Sequence, residues 1–595
     1  MPDTATGPFA YKAPPFSQRV RRSMHDMALR SPLLRWRFET MPGDHLLIVP
    51  QALRTIDASF MAELESGYLG LAGAVAPYNG GVPFNIMPPN DAWTRELHGF
   101  GWLHHLRATD SGEARQLGED WIAAWQAKYK RKSGIPWAPV IVARRLISIL
   151  SGAGFILQGS DARFHDAYVA MANDHLRVLA RSYAGAPEGV NKLLILTGIM
   201  YGGLCIAEQE RFVDDFLPAF SGELQRQIRP DGSPISRETS SVVEIVLDLL
   251  PLDRCFTSRK IDVPVQLAAA LQRAIRFVAH MRLGDGMLAR FNGVGPTWPD
   301  RVAAVLAYQD LQSSPLEEAR LSGYSRLARG RTVVMMDVGV PPPYDASIHA
   351  HAGCLSFEMS SGTCPIIVNC GAPGPADQDW RPLSRGTAAH STLVLNDTSS
   401  SVLIRDSDDE ARLGGIPIEG PERVERVIED KADGSVFISA WHDGYSSRFG
   451  LRHERILQIR SRGEAIEGTD KLTGGGRMFA GRNHEMQPYA IRFHLHPRTR
   501  VRRGETTRSV EIRLANGEIW EFSALDTQVN LEESVFLAEL SGPLQSVQLV
   551  LRGAVAGEMQ VSWRLRKLEQ DDERRAGIRE TLSVVPSEGS DNPGP

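Results

Sequence analysis

From residue 91 onward the apolar positions recur every three or four residues: Leu97, Phe100, Trp102, Leu103 and Leu106, then Leu117, Trp121, Ile122 and Trp125. Such spacing gathers apolar side chains on one face of a helix. Further helices are predicted over 164–182, 191–208, 212–228, 242–250 and 265–281, with Gly and Pro between them acting as stops. After about Leu321 the pattern changes to short β-branched and aromatic runs bounded by turn residues, as in 332–337, 392–395, 436–440, 510–514 and 546–551. The chain therefore reads as multidomain, α then β: a bundle or toroid of consecutive helices, followed by a β-sandwich or two packed antiparallel sheets. The expected boundaries are an N-terminal extension at 1–90, a helical domain at 91–316, a β domain at 317–570 and a charged, then Ser/Pro/Gly-rich, disordered tail at 571–595. Two domains of this kind meet along a cleft, where ligand sites commonly lie.

Composition narrows the function classes. With 595 residues, 42% hydrophobic and 23% charged, the chain has the make-up of an ordinary globular protein. A formal net charge of -5 argues against a nucleic-acid partner, which calls for a concentrated basic excess. The five cysteines include no CxxC pair, so free thiols are expected rather than a disulfide framework or a zinc module. The N-terminus lacks the apolar core of a secretory signal, and no run of eighteen apolar residues occurs, so no membrane span is expected. There is no P-loop, dinucleotide-binding glycine pattern, HExxH or GxSxG.

Chemistry concentrates in the β half. The run SIHAHAGCLSFE, Ser347 to Glu358, reads as a strand, on which His349 and His351, two residues apart, point to the same side. Downstream, WRPLSRGTAAHSTLVLND places His390 at the opening of another strand, and Asn369 ends the one between. Three histidines and an amide at neighbouring strand ends can bind a metal, exchange protons with a substrate, or simply pack. Elsewhere, His98, His104 and His105 are expected on a helix surface or the wall of the cleft, His442 and His453 flank a predicted hairpin, and His494 and His496 lie on one face of a strand; none of these is a catalytic candidate.

These residues carry a resemblance. The order of a helical half, then HxHAxxLSFExSxG at 349–362, VxxG at 368–371 and RxTAAHSTL at 385–393, resembles the heparinase II/III-like polysaccharide lyases. The stretch WAPVIVARR, Trp137 to Arg145, is similar to that family's cleft-lining pattern. The resemblance implies an N-terminal (α/α) toroid of helical hairpins and a C-terminal antiparallel β-sandwich. It also implies β-elimination on an acidic, uronate-containing polysaccharide, in the cell envelope or periplasm, with the cytoplasm as the alternative given the N-terminus. In that chemistry the uronate carboxylate must be neutralised, a base must remove the C5 proton, and an acid must protonate the departing O4.

Carried over residue by residue, the resemblance puts His349 at the carboxylate-neutralising or proton-transfer position, with Asn191 as its helper. It puts His351 and His390 at the histidines of a structural zinc present in some members; no cofactor is required for the reaction itself. Asn369 stands where the zinc carboxylate is expected, and Gly353 where another acid usually follows. Aligned on Glu238 and Ser240, the family's Tyr-His pair falls on Val243 and Glu244, so the proton-carrying tyrosine must come from elsewhere: Tyr344, or Tyr445. Trp137, Arg144, Arg145 and Arg385, together with Trp380 and Arg381, are expected to line the groove, because aromatic faces stack on sugars and arginine forks grip carboxylates. Two alternatives stand beside the lyase: a catalytically retired polysaccharide-binding or scaffold protein, and a hydrolase using two carboxylates such as Asp231 and Glu244.

Overall fold

The computed structural model describes residues 43–186, 189–309, 316, 319–406, 410, 415–474 and 486–568. The tail expected at 571–595 lies outside the described residues.

The helices are α1 (Phe60–Glu65), α2 (Asp91–Gly99), α3 (Trp102–Thr109), α4 (Gly112–Lys128), α5 (Pro139–Ile156), α6 (Ala162–Ser182), α7 (Val190–Cys205), α8 (Arg211–Gln227), α9 (Thr239–Ser258), α10 (Val265–His280) and α11 (Pro299–Leu306). From α5 onward they alternate in character: α5, α7 and α9 are apolar nearly all round, whereas α6, α8 and α10 carry one apolar stripe. A helix apolar on every side has to be surrounded, and an amphipathic one can do the surrounding. Accordingly α5 packs on α7 and α7 on α9 as an inner layer, with α6, α8 and α10 covering it from outside. By length and composition α5 is apolar enough to cross a membrane, yet here most of it is buried in this inner layer. The segment before α2 joins the same core: Phe60 of α1 and Leu69 and Leu71 of the hairpin Tyr68–Leu71/Ala74–Pro77 are buried with Trp93 and Trp102.

Among the described residues the β half has two antiparallel eight-stranded sheets and a small two-stranded one, Val402–Leu403 with Ile418–Glu419. The first runs, in spatial order, Val529–Phe536, Leu544–Val555, Gln487–Leu495, Cys364–Val368, Phe357–Ser361, Thr332–Asp337 and Tyr324–Arg329, with Leu393–Leu395 also paired to Gln487–Leu495. The second runs Val424–Asp430, Val436–His442, Leu451–Ile459, Ala465–Gly474, Met559–Lys567, Ile519–Ala524, Ser509–Arg513 and Arg500–Arg503. Alternation along Leu451–Ile459 turns every second residue inward, as a sheet with one buried face requires. Between the sheets Phe357 stacks on Trp563 at 5.7 Å, and Gly468 leaves the room, since a β-carbon there would lie 2.1 Å from the indole.

Inside this apolar layer sits a polar knot. Asp470 accepts hydrogen bonds from Arg455 Nε (2.8 Å), His453 Nε2 (2.8 Å) and Trp563 Nε1 (3.0 Å). Burial opposes ionisation of Asp470, but Arg455 and His453 outweigh it and hold the carboxyl below the usual carboxylate range. Arg455 Nη1 also donates to the carbonyls of Leu355 (3.0 Å) and Ser391 (2.6 Å), fixing the loops that carry His351 and His390.

A second buried cation joins the halves. Arg237, just before α9, pairs with Asp337 of the first sheet (Nη2 to Oδ1, 2.5 Å) and donates to the carbonyls of Ser322 (2.6 Å) and Val340 (2.9 Å). Its guanidinium lies 4.7 Å from the Tyr324 ring centroid, and Tyr324 Oη donates back to the Arg237 carbonyl (2.7 Å).

One local expectation is corrected here. Residues 347–355 are loop, and the strand begins only at Phe357. Ala350 N turns back onto Ser347 O, Leu355 is left-handed (φ 61), and Arg385 pulls the carbonyls of Ser347 and Ala350 to itself. His349 and His351 therefore do not share a strand face; each meets a different partner.

Candidate functional site

His349 lies on the seam between helical and β halves. Its Nδ1 is 3.0 Å from Arg381 Nη2. A guanidinium can only donate, so Nδ1 is the acceptor, and the neutral ring carries its proton on Nε2. Burial, followed by the charges of Arg381 and Arg385, lowers the pKa of His349 against a pull upward from Glu238. Glu238 approaches from the start of α9, with Gly293 between the two: a β-carbon at Gly293 would lie 2.8 Å from His349 O and 3.5 Å from Glu238 Cδ. Only glycine allows this approach, and its φ of 87 is itself glycine territory. The loop that holds Gly293 continues along the β half, where Ala372 N donates to Val294 O (3.0 Å). Trp298 and Trp380, which follow these two contacting segments, stand 46% and 39% exposed. As arranged, His349 and Arg381 offer N–H donors and positive charge to an anionic group, not a basic nitrogen to a C–H.

On the toroid, α9 also carries an ion-pair network that sequence reading missed. Glu244, about 9 Å along α9 from Glu238 at the helical rise, binds Arg54 (2.5 Å) and Arg301 of α11 (2.8 Å). Asp248, one turn further, binds Arg54 (2.9 Å) and Arg144 of α5 (2.6 Å). Burial alone would raise the Glu244 carboxyl, but Arg54 and then Arg301 outweigh it and hold it at about 2. An acid that stays ionised at neutral pH cannot deliver a proton. Val243, beside it, is buried in the helical core. No local signal could have shown this network, because Arg54 and Arg301 lie far from α9 in the chain.

Glu244 gives a test of its own. Its folded-state pKa is depressed, so its contribution to stability is present above the unfolded value near 4.5 and is lost as pH falls towards about 2. Above that window the clamp is fully formed, so at about pH 7 the thermal midpoint of Glu244→Gln should lie below that of the parent protein, because Arg54 and Arg301 lose an ionised partner; an unchanged midpoint would contradict the clamp.

The remaining expected residues divide. Arg144 is held by Asp248 in the ion-pair network. Trp137 is half-buried, its Nε1 donating to Tyr129 O (3.0 Å) and its ring 5.4 Å from Trp125. Arg145 is withdrawn from the groove: fully buried over the Trp125 ring (4.0 Å), it donates to His175 Nε2 (2.7 Å) and to the carbonyls of His98 (2.6 Å) and Pro136 (2.9 Å). Burial without a carboxylate partner lowers its pKa to about 9. Arg385 is likewise turned inward, bonding the carbonyls of Ala350 (2.8 Å), Ile416 (2.7 Å) and Ser347 (3.2 Å). Asn191 is exposed on the first turn of α7, and no hydrogen bond among the described residues joins it to His349. Tyr344 opens the short helical turn five residues before His349 and caps Ser347 through its carbonyl. Tyr445 is buried, and its hydroxyl donates to Leu393 O (2.8 Å), a packing role. Asp231, the other carboxylate of the hydrolase reading, accepts from Ser233 Oγ (2.6 Å), Leu321 N (2.8 Å) and Ser322 N (3.0 Å) and braces the seam instead.

The zinc position does not fit the ion. His351 Nδ1 and His390 Nε2 bond each other directly at 3.1 Å, and His390 Nδ1 meets Gly386 O at 2.8 Å. Asn369 Oδ1 accepts from Ser391 N (2.9 Å), so the amide is committed to backbone. A side chain at Gly353 would collide with the His390 ring, 2.7 Å from its nearest carbon, which removes the remaining place for a carboxylate. Two neutral imidazoles without an anionic ligand make a poor zinc set. Among the described residues no group of three or more His, Cys, Asp or Glu could hold a metal.

The family model described as heparinase II/III-like, C-terminal, matches residues 311–564. This chain carries a heparinase II/III-like C-terminal domain. The heparinase likeness extends to the whole fold: a crystal structure of heparinase III superposes with a TM-score of 0.67 at 12% identity, covering 93% of this chain and 91% of that one. The heparan sulfate lyase of Pedobacter heparinus gives 0.57 at 14% identity, covering 93% and 90%. At such identities the likeness is one of fold: an (α/α) toroid followed by a β-sandwich. In sequence, the chain is 28% identical over 540 residues to FtsZ-localized protein C of Caulobacter vibrioides, covering 87% of this chain and 90% of that protein. The heparinase-like C-terminal domain and fold thus stand beside a relative, matched over 90% of its length, whose name places it with FtsZ.

Proposed function

We propose that this protein descends from acidic-polysaccharide lyases and holds an anionic, uronate-type ligand in the seam cleft without cutting it. The observation that carries this reading is Glu244, held ionised between Arg54 and Arg301 where the resemblance calls for a proton-transfer partner. Of the three tasks in β-elimination, His349 and Arg381 are suited to the first, neutralising the carboxylate, with Trp298 and Trp380 as faces for sugar rings. The other two need groups that change protonation. Val243 has no proton to move, Glu244 stays charged, and Nδ1 of His349 faces a permanent cation.

Purified protein incubated with heparin, heparan sulfate, alginate, hyaluronan or bacterial exopolysaccharide should give no rise in the ultraviolet absorbance of unsaturated uronate. Calorimetry should detect binding to at least one of these polymers, weakened by roughly tenfold in Arg381→Ala through loss of one charge-assisted contact. An absorbance rise restores the lyase reading, and absence of binding to every polymer removes the glycan ligand.

A second reading is favoured by the full-length relative: a scaffold that works where FtsZ is. A fluorescent fusion should then overlap FtsZ in dividing cells, and a diffuse signal would remove this reading.

A further inference from the structure

Far from the seam in topology, the second sheet ends in the strand Arg500–Arg503, which pairs on one side only, with Ser509–Arg513. Residues 498–513 contain six arginines (Arg498, Arg500, Arg502, Arg503, Arg508 and Arg513) and two glutamates. All six arginines are exposed. Arg500 stands directly opposite Arg513 in the ladder, a like-charge pairing that destabilises a sheet. Among the described residues only Arg502 has a cross-strand acid, Glu511, at 2.8 Å. An arrangement that works against its own sheet calls for an external counter-charge.

The backbone shows the shape that counter-charge must have. Gly504 N donates to Ser509 O, so by the alternation of an antiparallel ladder Arg502 and Arg500 bond inward, while the main-chain groups of Val501 and Arg503 face the open edge. Arg500 and Arg502 share one face at the two-residue strand repeat of about 6.6–6.8 Å. An extended peptide has the same repeat, so acidic residues at alternate positions would meet these two guanidinium groups in register while its backbone completes the ladder. Anionic sugars and lipid headgroups offer charge but neither that repeat nor a strand of N–H and C=O groups.

We propose that this edge is a docking site for an acidic peptide segment of a partner protein, added as a further strand. The proposal is independent of the ligand in the seam cleft. The bland alternative is that the arginines merely guard an open edge against self-pairing.

Fluorescence anisotropy with a labelled peptide alternating Glu and Thr tests it on the full-length chain. That peptide should bind, and a peptide of the same composition with its Glu and Thr in separate blocks should bind roughly tenfold more weakly. Arg500→Glu combined with Arg502→Glu should weaken binding by about tenfold or more, the scale of losing two charge-assisted contacts. Val501→Pro removes an edge donor but no ladder bond, so it should lower affinity while leaving circular dichroism unchanged. Equal binding of the two peptides, indifference to Val501→Pro, or tighter binding to heparin or phosphatidylglycerol vesicles would each overturn the proposal in favour of a general polyanion surface. Absence of binding would leave the arginines as edge guards only and overturn it too.

Discussion

Acidification from about pH 7 to about pH 5 is expected to unfold this protein cooperatively, well before its carboxylates titrate. The cause is a set of buried neutral histidines. Burial lowers His98 and His390 to about 4, and His104, His494 and His496 to about 3. Each folded value lies below the unfolded one, so the unfolded chain takes up protons first. The stability these groups carry is complete above about pH 6.5 and is lost as pH falls below it. At about pH 5 each such histidine costs on the order of 2 kcal/mol, and five of them rival a total stability of about 5–15 kcal/mol. Fluorescence of the eleven tryptophans followed through a pH titration would show the transition. His390→Asn, whose amide can still donate to Gly386 O, should move the midpoint to lower pH. A midpoint below about pH 4, or one unmoved by that substitution, would refute the histidine explanation.

Replacing Arg237 with Met should cost about 3–5 kcal/mol, the scale for leaving a buried charge unpaired. Asp337 is nearly inaccessible, and its pKa is already raised because burial outweighs the attraction of Arg237. Without the guanidinium, the carbonyls of Ser322 and Val340 also lose their donor. Urea titration should show a lower midpoint, and Arg237→Met combined with Asp337→Leu should recover part of the loss because no orphan charge remains. If the double variant is less stable than the single one, the ion pair is not the reason. Arg237 immediately precedes Glu238, so the substitution should also loosen the approach of α9 to His349.

The sequence was legible where one physical rule dominates. Helices α6, α8 and α10 and the strand Val436–His442 follow directly from apolar spacing, because each buries a single stripe or face. α9 runs on to Ser258, beyond the expected stop at 250, because Pro251 is accommodated within a helix surrounded by apolar neighbours. The loop 347–355 defeated the spacing argument, since its path is set by carbonyl contacts with Arg385, more than thirty positions away in the chain. The same limit hid the site's charge balance. Arg144 and Arg145 are adjacent in sequence, yet one faces Asp248 across the toroid and the other stacks inside it. Helical phase separates them, and only the third dimension shows which of the two finds a carboxylate.

The clamp on Glu244 also bears on evolutionary reversibility. Arg54 precedes the toroid helices, Glu244 lies on α9 and Arg301 on α11, so three distant codons now depend on one another. Replacing Glu244 alone would leave Arg301 without this carboxylate and Arg54 with Asp248 only, a less stable state than the intact bridge. On the reading proposed above, a chain that has built this bridge does not return to proton-transfer chemistry by one substitution, which leaves its cleft open to reshaping for retention of ligands rather than turnover.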